Sequence, residues 1–305
     1  MFDAYAEVFA QFPWFLPVVV TVFGTMIGSF LNVCIYRIPA GKSVVRPGSH
    51  CACGKPIAWY DNIPVLSWLI LRGRARCCGG KFSVRYPAVD LLTGLLFLAC
   101  WLLLPPARAA GGMVLMSALV AATFIDLDHM IIPDVFSIGL GVVGVLLSFL
   151  MPAMQGECSG VFVVDSLRAV VTSLLGLLVG SGLVLWIALV AEAVLKKEAM
   201  GFGDVKLVCA IGAFTGWQGT VTAIFGGAVV GCVWFIVAMI WQKAAGKNAP
   251  ELLKAETAEG EKTEVGLGAQ VPYGPMLAIA GAAHFLWLHK PVAVYFAQIQ
   301  ELLVR

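Results

Sequence analysis

Apolar residues along this chain gather in long blocks instead of recurring every second or every third to fourth position. A helix needs roughly 20 apolar residues to cross a hydrocarbon layer. Blocks approaching or exceeding that length occupy 15–36, 88–104, 109–125, 135–151, 169–195 and 271–288. A further run, 205–241, is too long for one crossing and is interrupted by Gly216-Trp217-Gln218-Gly219. It predicts a short helix followed by a full one. The pattern therefore predicts an all-α polytopic membrane protein with about eight transmembrane helices.

Composition sharpens this. A length of 305 residues would suit two soluble domains. Yet 60% of the residues are hydrophobic and 12% charged, against about 25% charged in soluble domains. Mean hydropathy is +0.91. Such a chain cannot cover a water-soluble body. The net charge of +2 argues neither for nor against a nucleic-acid partner, and none is expected.

The distribution of Lys and Arg predicts the topology. Segment 37–85 alone holds nine of the 20, and most others fall in 196–206 and 242–270. The opposite side receives only Arg108, Arg168, Lys290 and Arg305. The basic segments are thus expected in the cytoplasm and both termini outside. The N-terminus has Asp3 and Glu7 and no basic region of the signal-peptide kind, so the first span is expected to remain. The expected units are an outer N-terminus with the first helix (1–36), a basic Cys-rich subdomain (37–87), a membrane domain (88–289) with a hydrophilic, flexible or partly helical loop at 242–270, and an outer tail (290–305).

Four of the nine cysteines cluster in the basic subdomain, as Cys51-Ala-Cys53 and Cys77-Cys78. In a reducing compartment disulfides are disfavoured. A segment of about 50 residues has trouble building a core of its own, and one tetrahedral zinc would staple it. The spacing is not that of two Cys-x-x-Cys knuckles. His50, three residues before Cys53, is an alternative ligand, and four free thiols are the bland alternative.

Acids mark two places where apolar runs end: Asp126-Leu-Asp128-His-Met-Ile-Ile-Pro133-Asp134, and Glu198-Ala-Met-Gly201-Phe-Gly203-Asp204. Ionisable groups beside hydrocarbon are costly and usually functional. Asp134 and Asp204 also read as helix caps, and Asp128 as a solvated acid. Gly201 and Gly203, however, clear side chains from beside Asp204, where an extended peptide could approach. Glu198, Asp128 and Asp134 would add negative charge around such a substrate. Two aspartates from different helices can share a proton, activate water and protonate a scissile carbonyl.

Together these residues resemble the bacterial type IV prepilin leader peptidases, also called leader peptidase/N-methyltransferases. The resemblance rests on Gly28-Ser-Phe-Leu-Asn-Val-Cys-Ile-Tyr-Arg-Ile-Pro39, Asn62-Ile-Pro-Val-Leu-Ser-Trp68, Leu71-Arg-Gly-Arg74, Arg85-Tyr-Pro87, both acidic stretches and Pro272-Tyr-Gly-Pro275. It implies a catalytic pair drawn from Asp-x₅-[Ile/Leu]-Pro-[Asp/Asn] and Gly-x-Gly-Asp. Ile132-Pro133-Asp134 sets the register, which gives Asp126 and Asp204; Asp128 is the nearest competitor. The resemblance further implies prepilin or pseudopilin substrates with a basic leader ending in Gly, cleavage on the cytoplasmic face of the inner membrane, and N-methylation from S-adenosylmethionine. The chain departs from the family in its cysteine spacing, and in Asp90 where a Glu is usual. Two other classes remain open: a transporter with an acid-lined cation or proton site, and a metal-binding membrane assembly protein acting through its thiols.

Overall fold

The computed structural model describes residues 11–196, 201–245, 254–256, 262–264 and 271–304. Its helices are α1 (Phe15–Arg37), the short α2 (Leu66–Ile70), α3 (Arg85–Leu103), α4 (Pro106–His129), α5 (Leu140–Leu150), α6 (Phe162–Leu195), α7 (Phe202–Ala245), α8 (Gly274–Ala283) and α9 (His289–Val304). A π-helical turn, Val135–Gly139, leads into α5, and another, His284–Leu288, joins α8 to α9. The chain is thus an all-α multi-pass membrane protein, with one antiparallel hairpin, β1 (Lys254–Glu256) and β2 (Lys262–Glu264), in the hydrophilic stretch expected to be flexible or partly helical.

Among the described residues, six helices are long and apolar enough to cross a membrane. The sequence reading of about eight counts two more. One is Val135–Leu150, which is shorter. The other comes from dividing α7, and α7 does consist of two helices that meet at a kink at Gly216, with φ 69° and ψ 180°, although together they make one long apolar run. Only a residue without Cβ takes that conformation readily. Two boundaries also move. Helix α6 starts at Phe162, not Ala169, because Asp165 interrupts the apolar run. Its carboxylate accepts bonds from Ser159 N–H and Oγ (both 2.8 Å) and Gly160 N–H (3.1 Å), so a charge is accommodated at the helix start. The stretch expected to be an outer tail from 290 is helical to Val304, continuous with α8 through the π-helical turn.

Helix α4 is the hub. Sixty-one per cent of its span is buried, against 17% for the α6 span and 28% for α1. Leu115, Met116, Leu119, Ala122 and Ile125 form the centre of the core. The outer helices instead expose apolar side chains such as Leu178, Trp186 and Val229, as lipid contact requires.

Small residues set the closest approaches, as is common between helices in lipid. A Cβ on Gly28 of α1 would lie 2.6 Å from Asp90 Cα of α3, and one on Gly176 of α6 would strike the Gly212 carbonyl of α7. The α6–α7 seam is also hydrogen-bonded, Ser173 Oγ donating to the Ala213 carbonyl at 2.7 Å and Thr220 Oγ1 to that of Gly176 at 3.1 Å. These contacts fix α7, and with it the helix start that carries Asp204.

Candidate active site and thiol cluster

Asp126 lies in the last full turn of α4, before a left-handed Met130 ends the helix. Asp204 lies in the first turn of α7. Both are buried, at 5% and 9% exposure, and their charges are close enough to interact. Ile132 wedges beside them. A Cβ on Gly203 would stand 3.3 Å from Ile132 Cβ, and one on Gly274 would stand 3.1 Å from Ile132 Cδ1. Among the described residues no Lys or Arg forms an ion pair with either aspartate.

The neighbouring acids differ. Asp128, two residues on, turns outward and pairs with Arg85 Nη1 at 2.6 Å. Arg85 also donates from Nη2 to the Phe124 carbonyl at 3.1 Å and lies over the Phe124 ring. Asp134 pairs with Lys206 Nζ at 2.7 Å. Each of these acids therefore carries its own cation, and their combined field on a basic ligand is correspondingly weaker. Glu198 lies outside the described residues.

The two glycines before Asp204 do different things. The space beside Gly203 is taken by Ile132. Among the described residues, a Cβ on Gly201 would meet only Asp204 Oδ2, at 3.6 Å, an ordinary contact that leaves room beside the carboxylate. The Gly201 carbonyl accepts the Asp204 N–H at 3.1 Å, which closes the turn into α7.

One contributor escapes any reading of local pattern. The backbone N–H of Gly274, at the start of α8, donates to Asp126 Oδ2 at 3.1 Å. A Cβ there would come within 2.6 Å of that oxygen. Its only trace in the sequence is Pro272-Tyr-Gly-Pro275, where two prolines pin the chain around a glycine. Tyr273 Oη donates to the Ile224 carbonyl of α7 at 3.2 Å, tying this segment to the helix that carries Asp204.

Asp90 is a third buried acid, held apart from this pair by its own partners. Asn32 Nδ2 donates to its Oδ1 at 2.9 Å and Val65 N–H to its Oδ2 at 3.3 Å, so it joins α1, α3 and the Cys-rich subdomain.

In the subdomain, Cys51, Cys53, Cys77 and Cys78 place all four sulfurs within 4.8 Å of one another. Cys51 and Cys78 are 3.5 Å apart and Cys53 and Cys77 3.4 Å. These are not disulfides, whose sulfurs sit at about 2.05 Å. Four thiolates around a zinc at about 2.3 Å would stand about 3.8 Å apart, near the spacing observed. Two turns with left-handed glycines, Gly54 and Gly79, aim the pairs at each other. The bridges His50 to Pro56 and Arg74 to Lys81 close their bases. His50 turns its Nδ1 to the Gly48 carbonyl at 3.1 Å and is not one of the four. The Cys53 backbone N–H and the neighbouring thiols lower the Cys51 pKa to about 7. Cys53 and Cys51 push Cys77 up to about 12. Negative charge is thus stabilised on one sulfur at the expense of the next, a conflict that a divalent cation removes.

Comparison with known proteins agrees with this layout. The bacterial Peptidase A24 N-terminal domain matches residues 22–104, and the type IV leader peptidase family matches residues 113–236. A prepilin leader peptidase/N-methyltransferase of Myxococcus xanthus is 40% identical over 236 residues, covering 75% of this chain and 64% of that protein. The type 4 prepilin-like proteins leader peptide-processing enzyme of Escherichia coli is 36% identical over 297 residues, covering 91% of this chain and 96% of that protein. A prepilin leader peptidase/N-methyltransferase of Klebsiella pneumoniae is 38% identical over 221 residues, 70% of this chain and 90% of that protein. No solved structure matches the chain. On this evidence the chain belongs to the type IV leader peptidase family.

Proposed function

We propose that this protein is a membrane aspartic endopeptidase that removes the basic leader from type IV prepilins or pseudopilins after a glycine, and then methylates the new N-terminus. One observation carries the peptidase reading: two buried aspartates, Asp126 and Asp204, stand at the ends of two helices close enough for their charges to interact, and among the described residues no Lys or Arg pairs with either, while Asp128 and Asp134 are each ion-paired. Two carboxylates in close contact hold one proton between them. The ionised partner takes a proton from water as the water attacks the scissile carbonyl carbon, and the protonated partner donates to the carbonyl oxygen. On collapse of the tetrahedral intermediate the carboxyl that took the water proton gives it to the departing amine, and the other carboxylate takes back a proton from the diol oxygen. No covalent enzyme intermediate forms. Gly274 N–H keeps Asp126 Oδ2 in place for this exchange.

The same reading places 37–87 and 242–270 in the cytoplasm, both termini outside, the peptidase unit at 88–289, and the aspartates at the cytoplasmic face of the inner membrane. Its support is the excess of Lys and Arg in the two hydrophilic segments. A transporter reading is less well supported, since both aspartates lie at helix ends. Methylation is supported by the relatives' name, prepilin leader peptidase/N-methyltransferase. S-adenosylmethionine would supply the methyl group. Mass spectrometry of a prepilin N-terminus after co-expression tests both activities: the expected product lacks its leader and is heavier by one methyl group. An intact leader overturns the peptidase reading, and an unmethylated product overturns the second activity alone.

The four sulfurs fit zinc, which would staple the subdomain without entering the peptidase chemistry. Purified protein is expected to hold about one zinc per chain by elemental analysis. Cys53→Ser with Cys78→Ser is expected to abolish that signal and expose 37–85 to proteolysis. A metal-free wild type, or an unchanged metal content in the double variant, rejects the zinc site.

A further inference from the structure

Arg37, in the last turn of α1, is only 8% exposed, and among the described residues no other Lys or Arg is as buried. It donates from Nη1 to the Ser43 carbonyl at 3.0 Å and from Nη2 to the Gly48 carbonyl at 3.4 Å. Among the described residues no carboxylate pairs with it. A buried charge without a counter-ion is expensive. Arg37 also lines a cleft of about 350 Å³.

The cleft has two ends of different character. Arg37, Ser49 and Asn62 line one part. Met26, Phe30 and Val33, on the same face of α1 as Arg37, line another part, and Val44, Val45 and Pro47 add further apolar wall. Met26 lies about 16 Å along the axis from Arg37, well within the span, and Met26 and Phe30 are 56% and 50% exposed. The cleft therefore crosses from a cationic pocket at the membrane edge to an apolar, lipid-facing groove. In the chain, Asn62 is flanked by exposed Trp59, Leu66 and Leu69, side chains suited to a membrane interface. Segment 37–85 sets nine basic residues against the single acid Asp61.

We infer that this cleft binds one anionic phospholipid, with its phosphate on Arg37 and its chains along Met26 and Phe30. The bound lipid seats the Cys-rich subdomain on the bilayer surface. Polar solutes such as a nucleoside cofactor do not match a groove whose far wall lies in the hydrocarbon. Basic pockets beside transmembrane helices are suited to anionic headgroups. The site is independent of whether the chain cleaves prepilins.

The test is native mass spectrometry of the full-length protein titrated with phosphatidylglycerol or phosphatidylcholine. Wild type is expected to retain one phosphatidylglycerol and to bind phosphatidylcholine roughly tenfold more weakly, a difference set by a charge-assisted contact. Arg37→Gln is expected to lose that preference. Val33→Trp fills the groove while leaving Arg37 in place, and is expected to reduce retention of both lipids. It decides the matter if Arg37→Gln fails to fold. Equal retention of the two lipids by wild type, or undiminished phosphatidylglycerol binding in Val33→Trp, overturns the inference. So does displacement of the lipid by S-adenosylhomocysteine, which would assign the cleft to an adenosyl cofactor.

Discussion

Asp126→Asn and Asp204→Asn are each expected to lower leader cleavage by about 10³-fold or more, with protein levels in the membrane unchanged. The magnitude follows from general acid–base catalysis, which contributes about 10²–10⁴-fold, and from the pair acting as a unit. An amide at either position can neither accept the proton of the attacking water nor donate one to the carbonyl oxygen. Asp128→Asn supplies the control. It removes a partly exposed ion pair with Arg85, worth at most about 1 kcal/mol, and is expected to keep cleavage within about fivefold of wild type. Cleavage of a prepilin in membranes, followed by the mobility shift of the product, measures all three. Full activity in either amide variant would exclude the pair. Loss confined to Asp128→Asn would move the first catalytic acid by two residues.

The comparison of Asp126 with Asp128 shows what a sequence can and cannot carry. Both sit in one acidic stretch at the end of an apolar run, and nothing in their spacing from α4 says which turns inward. Family resemblance chose Asp126 through Ile132-Pro133-Asp134. The structure separates the two by burial and by the reach of Arg85, which comes from 43 positions earlier in the chain. The membrane class and long helices were legible because they depend only on how many apolar residues follow one another. Helix ends were less so, because the charge of Asp165 looks like an end until its Ser159 and Gly160 partners are known. The thiol cluster was legible as composition but ambiguous as geometry. Cys51, Cys53, Cys77 and Cys78 match no regular knuckle spacing, and only the two left-handed glycine turns bring their sulfurs together. Gly274 was the least visible of all, since what it offers Asp126 is a backbone N–H from 148 residues away.

That contact leads to the second large effect. Gly274→Ala is expected to impair cleavage nearly as severely as losing an aspartate, although no titratable group changes. The added carbon would stand 2.6 Å from Asp126 Oδ2 and 3.1 Å from Ile132 Cδ1, well inside ordinary van der Waals contact. Either the carboxylate swings away or the start of α8 retreats, and both sever the 3.1 Å hydrogen bond. A displacement of about 1 Å in a catalytic group can cost about 10²-fold. Gly203→Ala is expected to be milder, because its new carbon would meet Ile132 at 3.3 Å and needs only a small shift. Gly201→Ala is expected to be mildest in folding, with Asp204 Oδ2 at 3.6 Å the one contact among the described residues. Its effect should fall on the substrate instead, since that flank is where an extended backbone can reach the carboxylate. The series therefore makes a kinetic distinction: kcat falls in Gly274→Ala, whereas KM for the prepilin rises in Gly201→Ala. Wild-type turnover in Gly274→Ala would show that the Gly274 N–H does not hold Asp126 during catalysis. A Gly201→Ala enzyme with unchanged KM would remove the open flank as the path of the substrate.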